Sequence, residues 1–401
     1  MESEKRIFKR LADLPIMPST IGTMAWNRTG DWRYLTPVVA DKAAPCAQAC
    51  PAGIPVPVYL NALRNGRLQS GLGLLLSHNP LPGLTGRFCH HPCQAKCVRR
   101  KIDNAISIRR IERSLADLSN NAAIQKIGKT DKRVAVIGSG PLGLSCAFYL
   151  GCRGCRVAVL DPQDRAGGVL AGLSPEKIDP QLLEDEIGRL LHLAEITLET
   201  GVALDFRRLG EGVPEADFII LDPTGFSEGN AFPAGIAEFD PFTEGPPDSR
   251  IVSAKLPENL EQFKPSLIAH YIGAGRQTAI KVLDMFAEPS GQPGISGPNP
   301  QRRQVVNAED IRLERFQSSD HSGPAKGKEE KWEWERVFEE TKRCLSCGAC
   351  NQCLQCATFC PDASIRPDET AVTVDLEHCK GCGICAYECP RGVITMEAVS
   401  S

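Results

Sequence analysis

The spacing of hydrophobic and polar positions changes along the chain, and each change marks a new part. Between Val56 and Asn79 the stretches VPVYLNALRNG and RLQSGLGLLLSHN carry apolar residues at helical spacing and predict two short helices. Ile106, Ile108, Ile111, Leu115 and Leu118 follow mostly three- and four-residue steps and predict another amphipathic helix. At Lys132 the period shifts: RVAVIG reads as a short buried strand, GSGPLGLSCAFYL as a glycine turn opening a helix, and RVAVLD as a second strand, a βαβ unit. Leu182, Leu183, Ile187, Leu190 and Leu191 predict a helix over 180–194, followed by strands at ITLET and DFIILD. Residues 1–45, with Trp26, Trp32 and several prolines, show no clear period and read as a wrapping arm. Residues 287–330 are rich in Gly, Pro and Ser and read as a linker. Trp332 and Trp334 in EEKWEWERVF are expected to anchor a helix before a small cysteine-rich tail. The expected organisation is a helical domain (1–130), an α/β Rossmann-like domain (131–286), a linker with a connecting helix (287–340) and an α+β domain (341–401).

Length supports this division, since 401 residues at about 150 per domain give two or three domains. A formal net charge of −3 argues against nucleic acid or an anionic membrane as the main partner. No window approaches about 18 uninterrupted apolar residues, and MESEKRIFKR lacks the apolar stretch of a signal peptide, so a cytoplasmic protein without a membrane span is expected. The eighteen cysteines change the picture most. A reducing cytosol excludes a disulfide framework, which leaves metal clusters as the first reading. They are bunched: Cys46 and Cys50; Cys89, Cys93 and Cys97; Cys146, Cys152 and Cys155; then ten from Cys344 to Cys389.

Cys350, Cys353, Cys356 and Cys360, followed by Pro361, fit C-x2-C-x2-C-x3-C-P, and Cys379, Cys382, Cys385 and Cys389, followed by Pro390, fit it again. In such pairs the fourth cysteine of each run ligates the [4Fe–4S] cluster held by the other run's first three. The glycine motif is Gly138, Gly140 and Gly143, with Pro141 and Leu144 opening the helix and Asp161 ending the next strand. These types suit a dinucleotide: glycines for a tight turn and close pyrophosphate approach, and an acid for ribose hydroxyls. Cys146, Cys152 and Cys155 are expected to pack as small apolar residues. His90 and His91 are expected beside a cluster rather than on it. The basic residues from Arg99 to Arg113 read as a solvated face or a dock for an acidic partner. No Ser–His–Asp or paired-carboxylate pattern supports hydrolysis.

PCAQACPAG, NPLPGLTGRFCHHPCQAKC, ISIRRIERSLAD and VAVIGSGPLGLSCAFYL, in that order, resemble the small subunit of glutamate synthase and the N-terminal part of dihydropyrimidine dehydrogenase over residues 45–225. The tail resembles bacterial two-cluster ferredoxins. The resemblance implies a helical [4Fe–4S] domain and an FAD-binding domain. Gly138, Gly140, Pro141, Gly143, Leu144 and Asp161 would be flavin contacts, with Gly167 and Gly168 near the flavin, Thr224 and Gly225 at the family's Ala-Thr-Gly strand end, and Gly275 in its closing helix. It also implies Cys50, Cys89, Cys93 and Cys97 as one cluster's ligands. A C-terminal ferredoxin fusion is similar to flavin subunits of anaerobic multi-subunit oxidoreductases.

The sequence departs from the family in three places. Only 46 residues lie between Gly225 and Ile272, where the family inserts a nicotinamide domain of roughly 100 residues, so NAD(P) is not expected on this chain. The Gly-Asp pair that holds the flavin ribityl chain is absent from KPSLIAHYIGAGR. The Arg-Cys-x2-Cys-Gly element that completes the family's other N-terminal cluster is missing before Cys46, yet the same pattern stands at Arg343, Cys344, Cys347 and Gly348. One reading makes Cys344 and Cys347 the displaced element, joining Cys46, with Glu112 as candidate fourth ligand. The other makes them spare thiols or alternative ligands of the ferredoxin run. The leading functional expectation is an electron-transfer subunit relaying electrons between FAD and three or four [4Fe–4S] clusters, with other subunits of an oxidoreductase as partners and ferredoxin as a further candidate. The alternatives are an NAD(P)H-dependent oxidoreductase acting on its own, and a cluster-bearing scaffold with a degenerate flavin fold.

Overall fold

Proline opens many of the helices at their first position, where its missing N–H has no intrahelical partner to lose: Pro45, Pro82, Pro92, Pro141 and Pro180. The structure is a computed structural model describing residues 28–117, 130–204, 215–225, 250–253, 264–286, 304–319, 332–369 and 371–399. Trp26, Leu118 and much of the expected linker (287–303 and 320–331) lie outside the described residues. From the N-terminus, β1 (Leu35–Val39) precedes α1 (Pro45–Gln48), α2 (Val56–Arg64), α3 (Leu68–Leu76), α4 (Pro82–Phe88), α5 (Pro92–Ala95) and α6 (Ile108–Ala116). Then come β2 (Arg133–Ile137), α7 (Pro141–Cys152), β3 (Arg156–Asp161), α8 (Pro180–Ala194), β4 (Thr197–Thr200), β5 (Phe218–Leu221), β6 (Ile251–Ser253) and α9 (Ile268–Phe286). The described order ends with α10 (Trp334–Lys342), α11 (Gln355–Thr358), β7 (Ile365–Pro367), β8 (Val372–Val374), α12 (Ile384–Glu388) and β9 (Ile394–Ala398).

The chain divides into two compact units. The larger holds Asp41–Asn351 and Pro390–Val393; the smaller holds the described residues before Asp41, Gln352–Cys389 and the chain from Ile394. Residues 341–351, grouped with the tail by sequence, thus belong to the larger unit.

In the larger unit, β4-β3-β2-β5-β6 form a parallel sheet, the arrangement of a Rossmann-like fold. Val134, Val136, Val159 and Ile220 are buried, as strands covered on both faces require. The helix α7, apolar on all sides, packs against α9, α8 and β3. Asp179 caps α8, its side chain accepting from the Gln181 N–H at 3.0 Å. The helical part is built on α2, α3, α4 and α6, whose Tyr59, Leu60, Leu63, Leu75, Leu84 and Ile111 are fully buried. Against it, α10 packs on α2 and α6. Trp332, just before α10, donates its backbone N–H to Ser114 Oγ at 3.1 Å, and the guanidinium groups of Arg110 and Arg336 lie over its ring, 5.3 and 4.7 Å from the centroid.

In the smaller unit β1 pairs antiparallel with β9, from Leu35 opposite Ala398 to Val39 opposite Ile394, and β7 pairs antiparallel with β8. Part of the expected wrapping arm is therefore a strand. The short helices α11 and α12 each follow a left-handed residue, Leu354 (φ 59°) and Gly383 (φ 78°), which turns the chain between successive cysteines.

Candidate functional site: cysteine-lined cavities and a glycine loop

All eighteen cysteines fall within the described residues and none forms a disulfide. In the smaller unit, Cys360, Cys379, Cys382 and Cys385 line one cavity with Pro37, Ile365, Ile384 and Met396. This set, three thiols of one run and the fourth of the other, has the crossed pairing that the motif predicts. Burial, followed by the charges of Cys379, Cys382 and Cys360, pushes the Cys385 thiol up to about 11. Cys353, Cys356 and Cys389 lie in the same unit, and Cys350 in the larger.

In the larger unit, Cys46, Cys97, Cys344 and Cys347 line a second cavity, walled by Val56, Leu60, Val98, Ile106 and Ile108. Cys46, Cys97 and Cys344 keep part of their surface, but inside the cavity their sulfurs are desolvated. The Cys46 thiol is raised well above its ordinary value by burial and then by Cys97, Cys344 and Cys347. Cys344 is raised to about 11, burial again leading. Thiols this hard to ionise, gathered around one space, suit a cationic cluster core that stabilises them as thiolates. Backbone amides point the same way: the Ser346 N–H donates to Cys344 Sγ at 3.4 Å, and N–H groups of Ile106 and Arg99 reach the Cys97 sulfur.

A third group forms around Glu112. Its carboxyl accepts from Thr85 Oγ1 at 3.3 Å, while Asn79 Nδ2 donates to the same hydroxyl at 2.7 Å. Glu112 is buried, and desolvation pushes it up to about 8. Its charge helps raise Cys50 (to about 11), Cys89 (to about 12) and Cys93, burial being the larger cause in each. The grouping expected from sequence is thereby changed: Cys97 stands with Cys46, Cys344 and Cys347, and Glu112 with Cys50, Cys89 and Cys93. The reason is local. Cys97 follows the turn after α5 toward the Cys344 loop, whereas Glu112, within α6, faces α4, the helix leading into Cys89. Among the described residues no group of three or more His, Cys, Asp or Glu donors is arranged to hold a single metal ion.

Sequence reasoning missed what seats the Cys344 loop. Arg343 donates to Asp103 Oδ1 at 2.9 Å, Glu340 Oε1 at 2.8 Å, the Asn104 carbonyl at 2.8 Å and Ser319 Oγ at 2.9 Å. Arg99 pairs with the same Asp103, and Glu340 also accepts from the Ser107 N–H at 2.8 Å. Two cations and two anions, each less than a tenth exposed, thus tie the helical part to the residue before Cys344. The pattern R-x3-D at Arg99–Asp103 beside E-x2-R at Glu340–Arg343 was the available signal. It also corrects the solvated-face reading of Arg99; Arg109, too, donates inward, to the Gly86 and Arg87 carbonyls. His91 is buried with ring Nδ1 at 2.6 Å from the Cys89 carbonyl, its backbone N–H donates to Cys89 Sγ at 3.3 Å, and burial lowers the imidazole to about 4, so it is neutral beside that thiol. Cys146, Cys152 and Cys155 sit in the hydrophobic core.

The glycine loop follows β2 and opens α7, as the motif requires. Gly138 has φ 102°, a conformation a side chain would strain. Gly140 has φ −69°, so it is glycine for space: a Cβ there would lie within 3.0 Å of the Thr224 carbonyl and hydroxyl oxygens. A Cβ on Gly168 would meet Thr224, Gly225 and Gly140 equally closely, and one on Gly143 would meet Asp222. Gly275, in α9, abuts the Leu142 carbonyl of α7, a packing role. The Leu142 N–H donates to Thr224 Oγ1 at 3.3 Å and the Ser139 N–H to Asp161 Oδ2 at 2.7 Å. Asp161 is fully buried and also accepts from Ser139 Oγ and from the Gln163 N–H at 2.8 Å. Gly167 donates its N–H to Ser139 Oγ at 2.9 Å. A pyrophosphate needs the space beside Gly140 and the free amides of the α7 start, and a ribose needs an accessible Asp161. Protein atoms hold the Leu142 amide and both Asp161 oxygens, and Thr224 packs directly on Gly140, so the residues present do not fit FAD.

Residues 39–124 match the family model described as dihydropyrimidine dehydrogenase domain II, 4Fe-4S cluster; residues 136–179 match an NAD(P)-binding Rossmann-like domain; and residues 372–395 match a 4Fe-4S binding domain. The chain is 34% identical over 188 residues to the NADPH-Fe(3+) oxidoreductase subunit beta of Geobacter sulfurreducens, covering 45% of this chain and 28% of that one. It is 31% identical over 189 residues to the NADP(+)-dependent formate dehydrogenase subunit beta of Moorella thermoacetica (40% and 27%). It is 38% identical over 143 residues to the glutamate synthase [NADPH] small chain of Bacillus subtilis (34% and 29%). The chain spans less than a third of the length of these relatives. No described helix is long and apolar enough to cross a membrane. The chain thus combines a helical 4Fe-4S domain of the dihydropyrimidine dehydrogenase type, a Rossmann-like domain of the NAD(P)- or FAD-binding type and a 4Fe-4S ferredoxin-type domain, and it is similar to subunits of iron–sulfur oxidoreductases.

Proposed function

We propose that the chain is an electron-transfer subunit of a larger oxidoreductase and holds four [4Fe–4S] clusters: one by Cys46, Cys97, Cys344 and Cys347, one by Cys50, Cys89, Cys93 and Glu112, and two by the crossed ferredoxin runs. Bound clusters of this kind accept and donate single electrons. The protein's share is to exclude water with Val56, Leu60 and Ile108, to direct amides at the sulfurs, and to fix the Cys344 loop through Arg343. The substrate-converting site would belong to another subunit, as the relatives' names as subunits suggest. The NADPH in those names is theirs; the short interval between Gly225 and Ile272 leaves a nicotinamide domain no room here.

The observation that carries the reading is the convergence of Cys46, Cys97, Cys344 and Cys347, distant in sequence, on one apolar-walled cavity. Anaerobic purification with iron and acid-labile sulfide quantitation tests it. Four cubes give roughly 16 irons per chain, and Cys46→Ala should lower that by roughly four. An unchanged iron content in that variant contradicts the site.

A further inference from the structure

We infer that the glycine loop of the Rossmann-like domain is filled by the chain's own Asp222–Gly225 segment and binds neither FAD nor a nicotinamide dinucleotide, so that the domain serves as a platform rather than a redox centre. Three independent features agree. The first is space: Thr224 packs so closely on Gly140 that a Cβ there would lie within 3.0 Å of its carbonyl and hydroxyl oxygens, and Gly168 closes on Thr224, Gly225 and Gly140 from its own side. The second is hydrogen bonding. The Leu142 N–H of the first helical turn is taken by Thr224 Oγ1, the Ser139 N–H by Asp161, and both Asp161 oxygens already accept from protein. The third is charge. Asp222 is fully buried beside Gly143, with Oδ1 accepting from the Thr224 N–H at 2.8 Å and from Thr224 Oγ1 at 2.7 Å. Its other oxygen faces the Gly143 backbone in the first turn of α7. A carboxyl group thus takes the position at the positive end of α7 that an incoming phosphate would need, and in its ionised form it would repel one. The absent Gly-Asp pair and the short interval after Gly225 are consistent with a chain that no longer builds the rest of a flavin site.

This inference does not rest on the cluster assignments, because flavin and iron are measured separately. The full chain, loaded with iron under anaerobic conditions, is titrated with FAD and with NADPH, desalted, and assayed for acid-released flavin and for FAD fluorescence quenching. The expected result is no saturable quenching, no retained flavin and no spectral change with NADPH. Gly140→Ala is measured alongside. Flavin retained by the wild type and lost in Gly140→Ala would place the dinucleotide on this loop and overturn the inference. Flavin retained equally by both would mean binding elsewhere and leave the loop as described, as would flavin in neither. Asp222→Asn adds a check with little change of shape: if the loop did bind FAD, removing the carboxylate would tighten retention, whereas a filled loop retains none in either form.

Discussion

The cavity of Cys46, Cys97, Cys344 and Cys347 and the loop of Gly138, Gly140 and Gly143 lie in the same unit, and each carries a recognisable motif, yet they differ in what the fold has done with their polar groups. Around the cavity, four sulfurs converge on an apolar-walled space and amides from Ser346, Ile106 and Arg99 reinforce them. At the loop, the Ser139 and Leu142 amides end on Asp161 and Thr224 inside the protein. A motif fixes local backbone shape; whether it is a site depends on the donors and acceptors left over once the chain has packed. Gly138 and Gly143 still have structural work in the second case, one through its positive φ and the other through contact with Asp222.

Each region depends on a few buried anchors. Arg343→Leu removes one cation from a buried, balanced quartet, leaving Glu340 without its cation and Asp103 with Arg99 alone. A loss of about 3–5 kcal/mol is expected from an unpaired buried charge, seen as lower thermal stability and faster cleavage near the Cys344 loop. At the loop, Asp222→Ala strands the Thr224 N–H and should cost about 1–3 kcal/mol, read as faster hydrogen exchange in β2 and β5, with iron content unchanged. Asp222 also gives the loop a pH signature. Burial raises it from 3.8 to about 7, with Asp161 adding to the rise and the Cys146 thiol also facing it. A raised acid binds its proton more tightly when folded, so its contribution is complete below its unfolded value and is lost as pH rises through about 7. The exchange protection of β2 and β5 should fall as pH rises from about 4 to about 7, by at most about 1.4 kcal/mol per pH unit, and level off above that; Asp222→Asn should flatten the slope. The smallest effect is expected at Asp179→Ala, which removes the cap of α8 for about 1 kcal/mol and should touch neither iron nor loop.

Much of this was legible in sequence because the signals were local. The 180–194 helix is α8, and RVAVIG and RVAVLD are β2 and β3. The crossed set Cys360, Cys379, Cys382 and Cys385 followed from spacing alone. What failed was the sorting of distant partners. Cys97 is four residues from Cys93, yet the turn between them puts Cys97 beside Cys46, Cys344 and Cys347 and Cys93 beside Cys50, Cys89 and Glu112. Strand β1 pairs with β9, more than 350 residues away, which no local period could reveal. Thr224 is expected at the family's strand end beside the cofactor, but Asp222 carries no signal of its own, and only packing shows both filling the glycine loop.

The central claim is the sorting of ligands around Cys97, and one measurement reaches it directly: iron content with low-temperature EPR of the reduced protein for Cys97→Ala beside Cys93→Ala and Cys344→Ala. The account predicts that Cys97→Ala and Cys344→Ala each lose roughly four irons and the same EPR signal, while Cys93→Ala loses a different one. If Cys97→Ala removes the signal lost in Cys93→Ala and keeps the one lost in Cys344→Ala, the sorting is wrong.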